Sequence, residues 1–173
     1  MTEPVAAQLA IRELYARYAD AVFRKDADSF GNCFVEDAEW RISGTIIRGR
    51  DAIVEQVKLV FPRYRRIVFN FRDPIIDLGD GTANVRIYVS ELSMFEDGRP
   101  FGPIGTYFDR CVEQEGGWRF KWRLFQTHYA GPPDMTGQFF DNPDFGPPPA
   151  MPPLDAEAID HTGVFKGHNA AKS

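Results

Sequence analysis

The run Arg17-Tyr18-Ala19-Asp20-Ala21-Val22-Phe23-Arg24-Lys25-Asp26-Ala27-Asp28-Ser29-Phe30 closes one amphipathic helix and caps the next. Upstream of it, Ile11, Leu14, Tyr15, Tyr18 and Val22 recur at helical spacing, while Arg12, Glu13, Arg17 and Arg24 point elsewhere. Asp26 is placed to cap a short second helix carrying Phe30, Cys33 and Phe34. Phe34-Val35-Glu36-Asp37-Ala38-Glu39-Trp40 then leads into a strand. Trp40-Arg41-Ile42 and Thr45-Ile46-Ile47 read as two short strands about Ser43-Gly44. Gly49-Arg50-Asp51 opens a third helix, with Ile53, Val57, Val60 and Phe61 inward and Pro62 as its stop.

Downstream the hydrophobic period changes to two. Ile67 to Leu78 is a strand interrupted at Pro74, which marks a bulge or an edge. Asp80-Gly81 is a hairpin turn, and Thr82 to Phe95, Thr106 to Glu113 and Trp118 to Tyr129 are long strands. Helices first and a strand meander after them give an α+β class. Residues 1–130 form the domain and 131–173 an extension. That extension holds eight of the thirteen prolines yet keeps Phe139, Phe140 and Phe145. A proline-rich stretch with spaced aromatics is expected to lie over a surface, acting as a lid or a subunit contact as far as Phe145 and looser from Ala150 to Ser173.

The chain has 173 residues, 43% of them hydrophobic, which suits one domain with a sizeable core. Fifteen Phe suit a pocket or interface that handles aromatic or polycyclic ligands. A net charge of −5, with no basic block beyond Arg63-Tyr64-Arg65-Arg66, argues against nucleic acid. The first 25 residues contain no continuous apolar stretch, so neither a signal peptide nor a membrane span is expected. Cys33 and Cys111 read as two buried thiols, and a cytoplasmic location follows as the default. His128, His161 and His168 are scattered without paired carboxylates, so no metal site is expected. No phosphate-cradling glycine loop or nucleophile elbow is present either, which leaves proton transfer without a cofactor.

The order helix, Tyr18, capping Asp26, strand and then strand meander resembles the nuclear transport factor 2-like cone fold. Within that superfamily it is similar to the SnoaL-like group of polyketide cyclases, scytalone and bile acid dehydratases and ketosteroid isomerase. The resemblance implies a cone-shaped α+β barrel: three N-terminal helices in a curved mixed, mostly antiparallel sheet around one pocket. Tyr18, eight residues before Asp26, stands where relatives place a catalytic tyrosine that donates to an oxyanion. Glu91 stands where the bile acid dehydratase carries a catalytic aspartate. On an apolar strand face with Ile87 and Val89, its pKa should rise toward that of a useful base. Trp122-Arg123-Leu124-Phe125 matches a segment of ketosteroid isomerase and turns Lys121, Arg123, Phe125, Thr127 and Tyr129 inward. It likewise turns in Tyr107 and Asp109, leaving Trp118, Phe120, Trp122 and Leu124 on an outer face.

The chain also departs from its relatives. Phe23 replaces the acid five positions after the tyrosine, Ile42 replaces the isomerase aspartate, and Asn70 falls near the dehydratase histidine. Together these readings give catalytic candidates Tyr18, Glu91, Tyr107 and His128. Phe23, Trp40, Ile42, Asn70, Val89, Asp109, Arg123, Phe125, Thr127 and Tyr129 are expected to hold the substrate. Asp109 and Arg123 are expected to pair across adjacent strands. The activity implied is a cofactor-independent lyase or isomerase on a small aromatic or polycyclic molecule, by dehydration or a related elimination such as deformylation. The alternative is a non-catalytic binding or assembly domain. The apolar outer face argues for a homodimer or homotrimer.

Overall fold

A computed structural model describes residues 3–165. Helix α1 (Pro4–Arg24) buries Ile11, Leu14, Tyr15, Tyr18 and Val22 along one face, the stripe its periodicity sets. It ends at Lys25 in the left-handed conformation. Asp26 then caps α2 (Ala27–Gly31), accepting from the Ser29 backbone N–H at 2.9 Å. That helix is shorter than its apolar spacing implied. Phe34 already belongs to strand β1 (Phe34–Ile42), and Cys33 lies in the turn between them. Ser43 and Gly44 both take positive φ, as a two-residue turn of type I′ demands, and lead into β2 (Thr45–Arg48). Helix α3 (Arg50–Val60) runs into a 3₁₀ turn at Phe61–Arg63, where Pro62 ends the α geometry.

The strands that follow are β3 (Tyr64–Phe71), β4 (Ile75–Leu78), β5 (Thr82–Phe95), β6 (Pro100–Phe101), β7 (Ile104–Gln114), β8 (Gly117–Ala130) and β9 (Gln138–Phe139). The break between β3 and β4 falls at Pro74, which has no N–H for a ladder. All nine strands form one sheet with the path β2-β1-β8-β7-β5-β3, while β4 and β6 pair with β5 and β9 with β8. Among the described residues only β1 and β8 run parallel; every other pairing is antiparallel. The sheet curls, and its concave side and the three helices share one core. This is the cone-shaped α+β fold. No helix among the described residues is long and apolar enough to cross a membrane.

One register shift corrects the strand parity. Arg110 pairs with Trp122 but Cys111 pairs with Phe120, so Lys121 is the extra residue of a bulge. Upstream of it the faces exchange. Trp118 and Phe120 are buried in the core, and Lys121 points outward to the Asp37 carboxylate. Only Trp122 and Leu124 remain on the outer face.

That outer face is covered by the chain itself. Phe108, Trp122 and Leu124 pack against Phe145, Met151, Ala156 and Ala158 of the extension. Prolines supply no N–H, but their segment still carries carbonyls that need donors. The sheet provides them from side chains. Arg86 donates to the Gly146 carbonyl at 3.1 Å, Arg110 to Pro152 at 3.3 Å, the Trp122 indole to Leu154 at 3.2 Å and Arg41 to Ala156 at 3.0 Å. The apolar surface that pointed to a partner subunit is thus met within one chain. His168 and the remainder of the tail beyond Phe165 lie outside the described residues.

The bulge makes Phe120 a core residue, so Phe120→Ala should cost about 3–5 kcal/mol of stability, the range for a buried aromatic truncation. Urea denaturation measures it. A loss below about 1 kcal/mol would put the ring back on the outer face.

Candidate active site

The concave face of the sheet and the helices line a partly open cavity of about 60 Å³. Tyr18 reaches it from α1, Trp40 and Ile42 from β1, Val89 and Glu91 from β5, Tyr107 from β7 and Phe125 from β8. Alternation along each strand brings these side chains to one side. A glycine helps: a Cβ at Gly105 would stand 2.4 Å from the Phe125 ring, so only glycine leaves room for that ring where it packs. The walls are otherwise apolar, with Val22, Phe30, Val57, Phe61, Ile67 and Phe69 contributing.

Among the described residues, Glu91 is the one carboxylate in that lining. It is buried, and among the described residues no cation stands beside it and its Oε1 has no hydrogen-bond partner. The Ser93 hydroxyl, which donates to the Phe101 carbonyl at 2.8 Å, is also near enough to oppose the shift by hydrogen bonding. Burial therefore dominates and pushes the Glu91 carboxyl up to about 7. Tyr107 and Tyr64 are near enough that the Glu91 charge adds to the rise that burial gives their own pKa values.

Beneath the cavity floor lies a second, paired carboxylate. Asp109 is fully buried, accepts from the Tyr15 hydroxyl at 2.5 Å and stands 3.2 Å from Arg123 Nε. The Arg123 guanidinium has no acceptor for Nη1 or Nη2; aromatic faces surround it instead. Its carbon lies 3.8 Å from the Tyr107 ring centre, 4.1 Å from that of Phe120 and 4.2 Å from that of Tyr18. Burial alone would lower the Arg123 pKa, but Asp109 and the tyrosines hold it up. Burial raises Asp109 to about 6 despite that arginine. The Tyr18 and Tyr107 hydroxyls share a hydrogen bond, and burial keeps both phenols protonated, Tyr107 with a pKa pushed up to about 12.

Several residues expected at the site lie elsewhere. Phe23 is 60% exposed, because five residues after Tyr18 is the far side of α1; Val22 takes its place. Asn70 alternates outward on β3 between Phe69 and Phe71. His128 sits on the outer side of β8, its ring bonded to the Thr106 hydroxyl and the Asn142 amide, both at 2.6 Å. Burial, with Arg86 nearby, lowers its pKa. Thr127 borders a separate hollow beneath the tail, with Asn142 and His161. Tyr129 is buried but spends its hydroxyl on the Pro132 carbonyl and the Gly137 N–H. Asp109 and Arg123 pair as expected, yet neither lines the cavity.

The sequence reading also missed one wall. Thr162, Val164 and Phe165 line the cavity. Phe139 and Phe140, expected as the lid, do not; Phe139 packs on Tyr129 and Phe140 stacks on His161. The unused signal was the apolar pair Val164-Phe165 ending an otherwise polar run. Among the described residues, no three His, Cys, Asp or Glu side chains gather as a metal site.

A model of the SnoaL-like domain family matches residues 3–123. Among solved structures, a Novosphingobium aromaticivorans protein provisionally named an aromatic ring hydroxylase is 29% identical. It aligns with a TM-score of 0.67 over 72% of this chain and 90% of its own. A second protein from that organism, provisionally named a scytalone dehydratase, is 23% identical, with a TM-score of 0.70 over 88% and 97%. Hexachlorocyclohexane dehydrochlorinase LinA-type3 from Novosphingobium barchaimii is 20% identical, with a TM-score of 0.68 over 80% and 97%. The last two share the fold. No curated protein sequence matches the chain.

The Glu91 environment predicts a pH dependence of stability. Its folded pKa of about 7 exceeds the ordinary 4.5, so the folded state binds the proton more tightly. Stability is then greatest below pH 4.5 and falls as pH rises to about 7, by about 3 kcal/mol at about 1.4 kcal/mol per unit. Glu91→Gln stays neutral and lacks this loss. Urea unfolding at pH 5 and pH 8 should show the variant gaining on the wild type; a pH-independent difference would put Glu91 in contact with water.

Proposed function

The chain belongs to the SnoaL-like domain family, and we propose that its cavity is the active site of a cofactor-independent lyase acting on a small cyclic or aromatic molecule. The observation that carries this reading is the contrast between two buried carboxylates. Asp109 is neutralised by Arg123, whereas Glu91 faces an apolar cavity with a pKa of about 7 and an unpartnered oxygen. A base poised near neutrality has no structural purpose there and a clear chemical one.

The reaction follows from the geometry. Glu91 takes a proton from the carbon next to a carbonyl of the bound molecule. The negative charge that develops on the oxygen is met by an O–H of the Tyr18–Tyr107 pair. One hydroxyl of that pair is engaged with the other, which leaves one donor for the substrate. The Arg123 charge behind both rings favours charge developing on the oxygen they face. Expulsion of a β-hydroxyl group completes the elimination, the departing oxygen taking the proton that Glu91 removed and leaving as water. Deformylation would use the same base on water: water adds to the formyl carbon as Glu91 takes its proton, the bond from that carbon to the ring breaks, formate leaves and the ring carbon takes the proton back. Trp40 lines the cavity with its indole N–H unpartnered, a further donor for a substrate oxygen. The structural likeness to a protein provisionally named a scytalone dehydratase and to a dehydrochlorinase is consistent with elimination chemistry on this scaffold.

Cyclic β-hydroxy ketones are suitable test substrates, with loss of water followed as enone absorbance. The expected kcat/KM rises with pH through about 7, as deprotonation of Glu91 requires. Glu91→Gln should lower it about 10²–10⁴-fold and Tyr18→Phe about 10²–10³-fold. His128→Ala, on the other side of the sheet, should change it little. Equal activity in wild type and Glu91→Gln would sink the lyase reading and favour a binding domain.

A further inference from the structure

The chain has six tyrosines, and all but Tyr88 are buried. A buried phenol needs a partner for its O–H, and four of these five are engaged. Tyr15 donates to the Asp109 carboxylate and Tyr129 to the Pro132 carbonyl, each at 2.5 Å. Tyr18 and Tyr107 share a hydrogen bond with each other. Tyr64 is left over: it is 2% exposed, yet among the described residues its hydroxyl makes no hydrogen bond.

Packing does not account for that hydroxyl. Tyr64 opens β3 with its ring stacked on Phe95, centroids 4.9 Å apart and planes at 27°. A phenylalanine would make the same stack, and the lining around it already uses Phe61, Phe69 and Phe101. What the hydroxyl adds is a proton donor in the cavity lining, close enough to Glu91 to feel its charge. Burial first, and then that charge, hold the Tyr64 pKa well above the usual 10. The phenol therefore keeps its proton across the range in which Glu91 titrates. The other polar groups there are spent or unsuited. Ser43 and Thr162 bond to each other at 2.7 Å, and the Trp40 indole is a donor that does not part with its proton.

We infer that Tyr64 is a further catalytic residue of the cavity, the acid that protonates the oxygen leaving the substrate. This role rests on the reading of the cavity as a lyase site and supplies the second half of the elimination. Glu91 takes the proton from the carbon beside the carbonyl, and the Tyr18–Tyr107 pair holds the enolate oxygen. The enolate electrons then form the new carbon–carbon double bond. The bond from the β carbon to its hydroxyl oxygen breaks with both electrons on oxygen, and the Tyr64 O–H gives that oxygen its proton. Water leaves. The Tyr64 phenolate regains a proton from the Glu91 carboxylic acid, which restores both groups and passes on the proton that Glu91 removed. Hydroxide leaves poorly and water leaves well, so a hydroxyl substrate gains most from an acid at this point.

The test varies the leaving group. 3-Hydroxycyclohexanone must shed water, whereas 3-acetoxycyclohexanone sheds acetate, which departs without a proton; both give the same enone, followed by its absorbance. For Tyr64→Phe in the full chain, kcat on the hydroxyl substrate should fall about 10²–10⁴-fold with KM changed less than threefold. Its kcat/KM on the acetoxy substrate should change less than threefold, and Glu91→Gln should lose activity on both. Thermal melts check that Tyr64→Phe is folded, and no loss of stability is expected because no hydrogen bond is removed. An equal fall on both substrates would make Tyr64 a residue that only shapes the cavity, and it overturns the proposal, as does an unchanged rate on the hydroxyl substrate. Either result, with Glu91→Gln inactive, ends the Tyr64 role alone. A wild type active on neither substrate, or Glu91→Gln as active as the wild type, sinks the lyase reading and the Tyr64 role with it.

Discussion

A charged guanidinium with no exposure to water is the constraint around which the rest of this protein is arranged. Arg123 is fully buried, and a bare charge in such a place costs far more than the net stability of a domain. Asp109 supplies the compensating charge from the neighbouring strand, and Tyr15 satisfies the other carboxylate oxygen from α1. The remaining N–H groups are met by aromatic faces from three elements, with Tyr18 on α1, Tyr107 on β7 and Phe120 on β8. A charge held this way tolerates little movement of the groups around it. It therefore fixes the first helix against the last strands, and with them the two phenols that floor the cavity.

The same cluster separates structure from chemistry. Two buried carboxylates stand on adjacent strands, and what surrounds each sets them apart. The arginine neutralises one and removes it from play. The other, Glu91, has no cation within the apolar lining, and desolvation lifts its pKa to about 7. Different environments for like groups are how a cofactor-free site acquires a base. His128 illustrates the reverse. It is the residue type most often suited to proton transfer, but it faces the wrong side of the sheet and is engaged by Thr106 and Asn142.

The proline-rich extension closes the fold from outside. It carries carbonyls with few N–H groups of its own, and the sheet answers with arginine and tryptophan donors. Burial of Trp122, Leu124 and Phe108 beneath it provides the apolar gain that offsets the ordering of an extended segment. The last described residues then turn over the rim of the cone and become part of the cavity. One segment thus shields the outer face and completes the inner one.

Much of the architecture was legible in the residues. The stripe from Ile11 to Val22, the cap at Asp26, the break at Pro74 and the long alternating run from Thr82 to Phe95 are local patterns, and local patterns determine elements. The resemblance carried by Tyr18 and Asp26 then determined the curl of the sheet and placed Tyr18, Glu91 and Tyr107 in one cavity. Three matters only the tertiary structure decided. A single bulge at Lys121 exchanged the faces of Trp118 and Phe120, because parity propagates along a strand until one residue fails to pair. Five positions along a helix turned Phe23 to solvent. The choice of cavity wall between Phe140 and Phe165 depended on where donors stood on a folded sheet, since a proline-rich chain has no period of its own to announce its docking. Sequence by itself determined the elements and the face of most; where the proline-rich segment as far as Phe165 came to rest was decided by the surface that the rest of the chain had made.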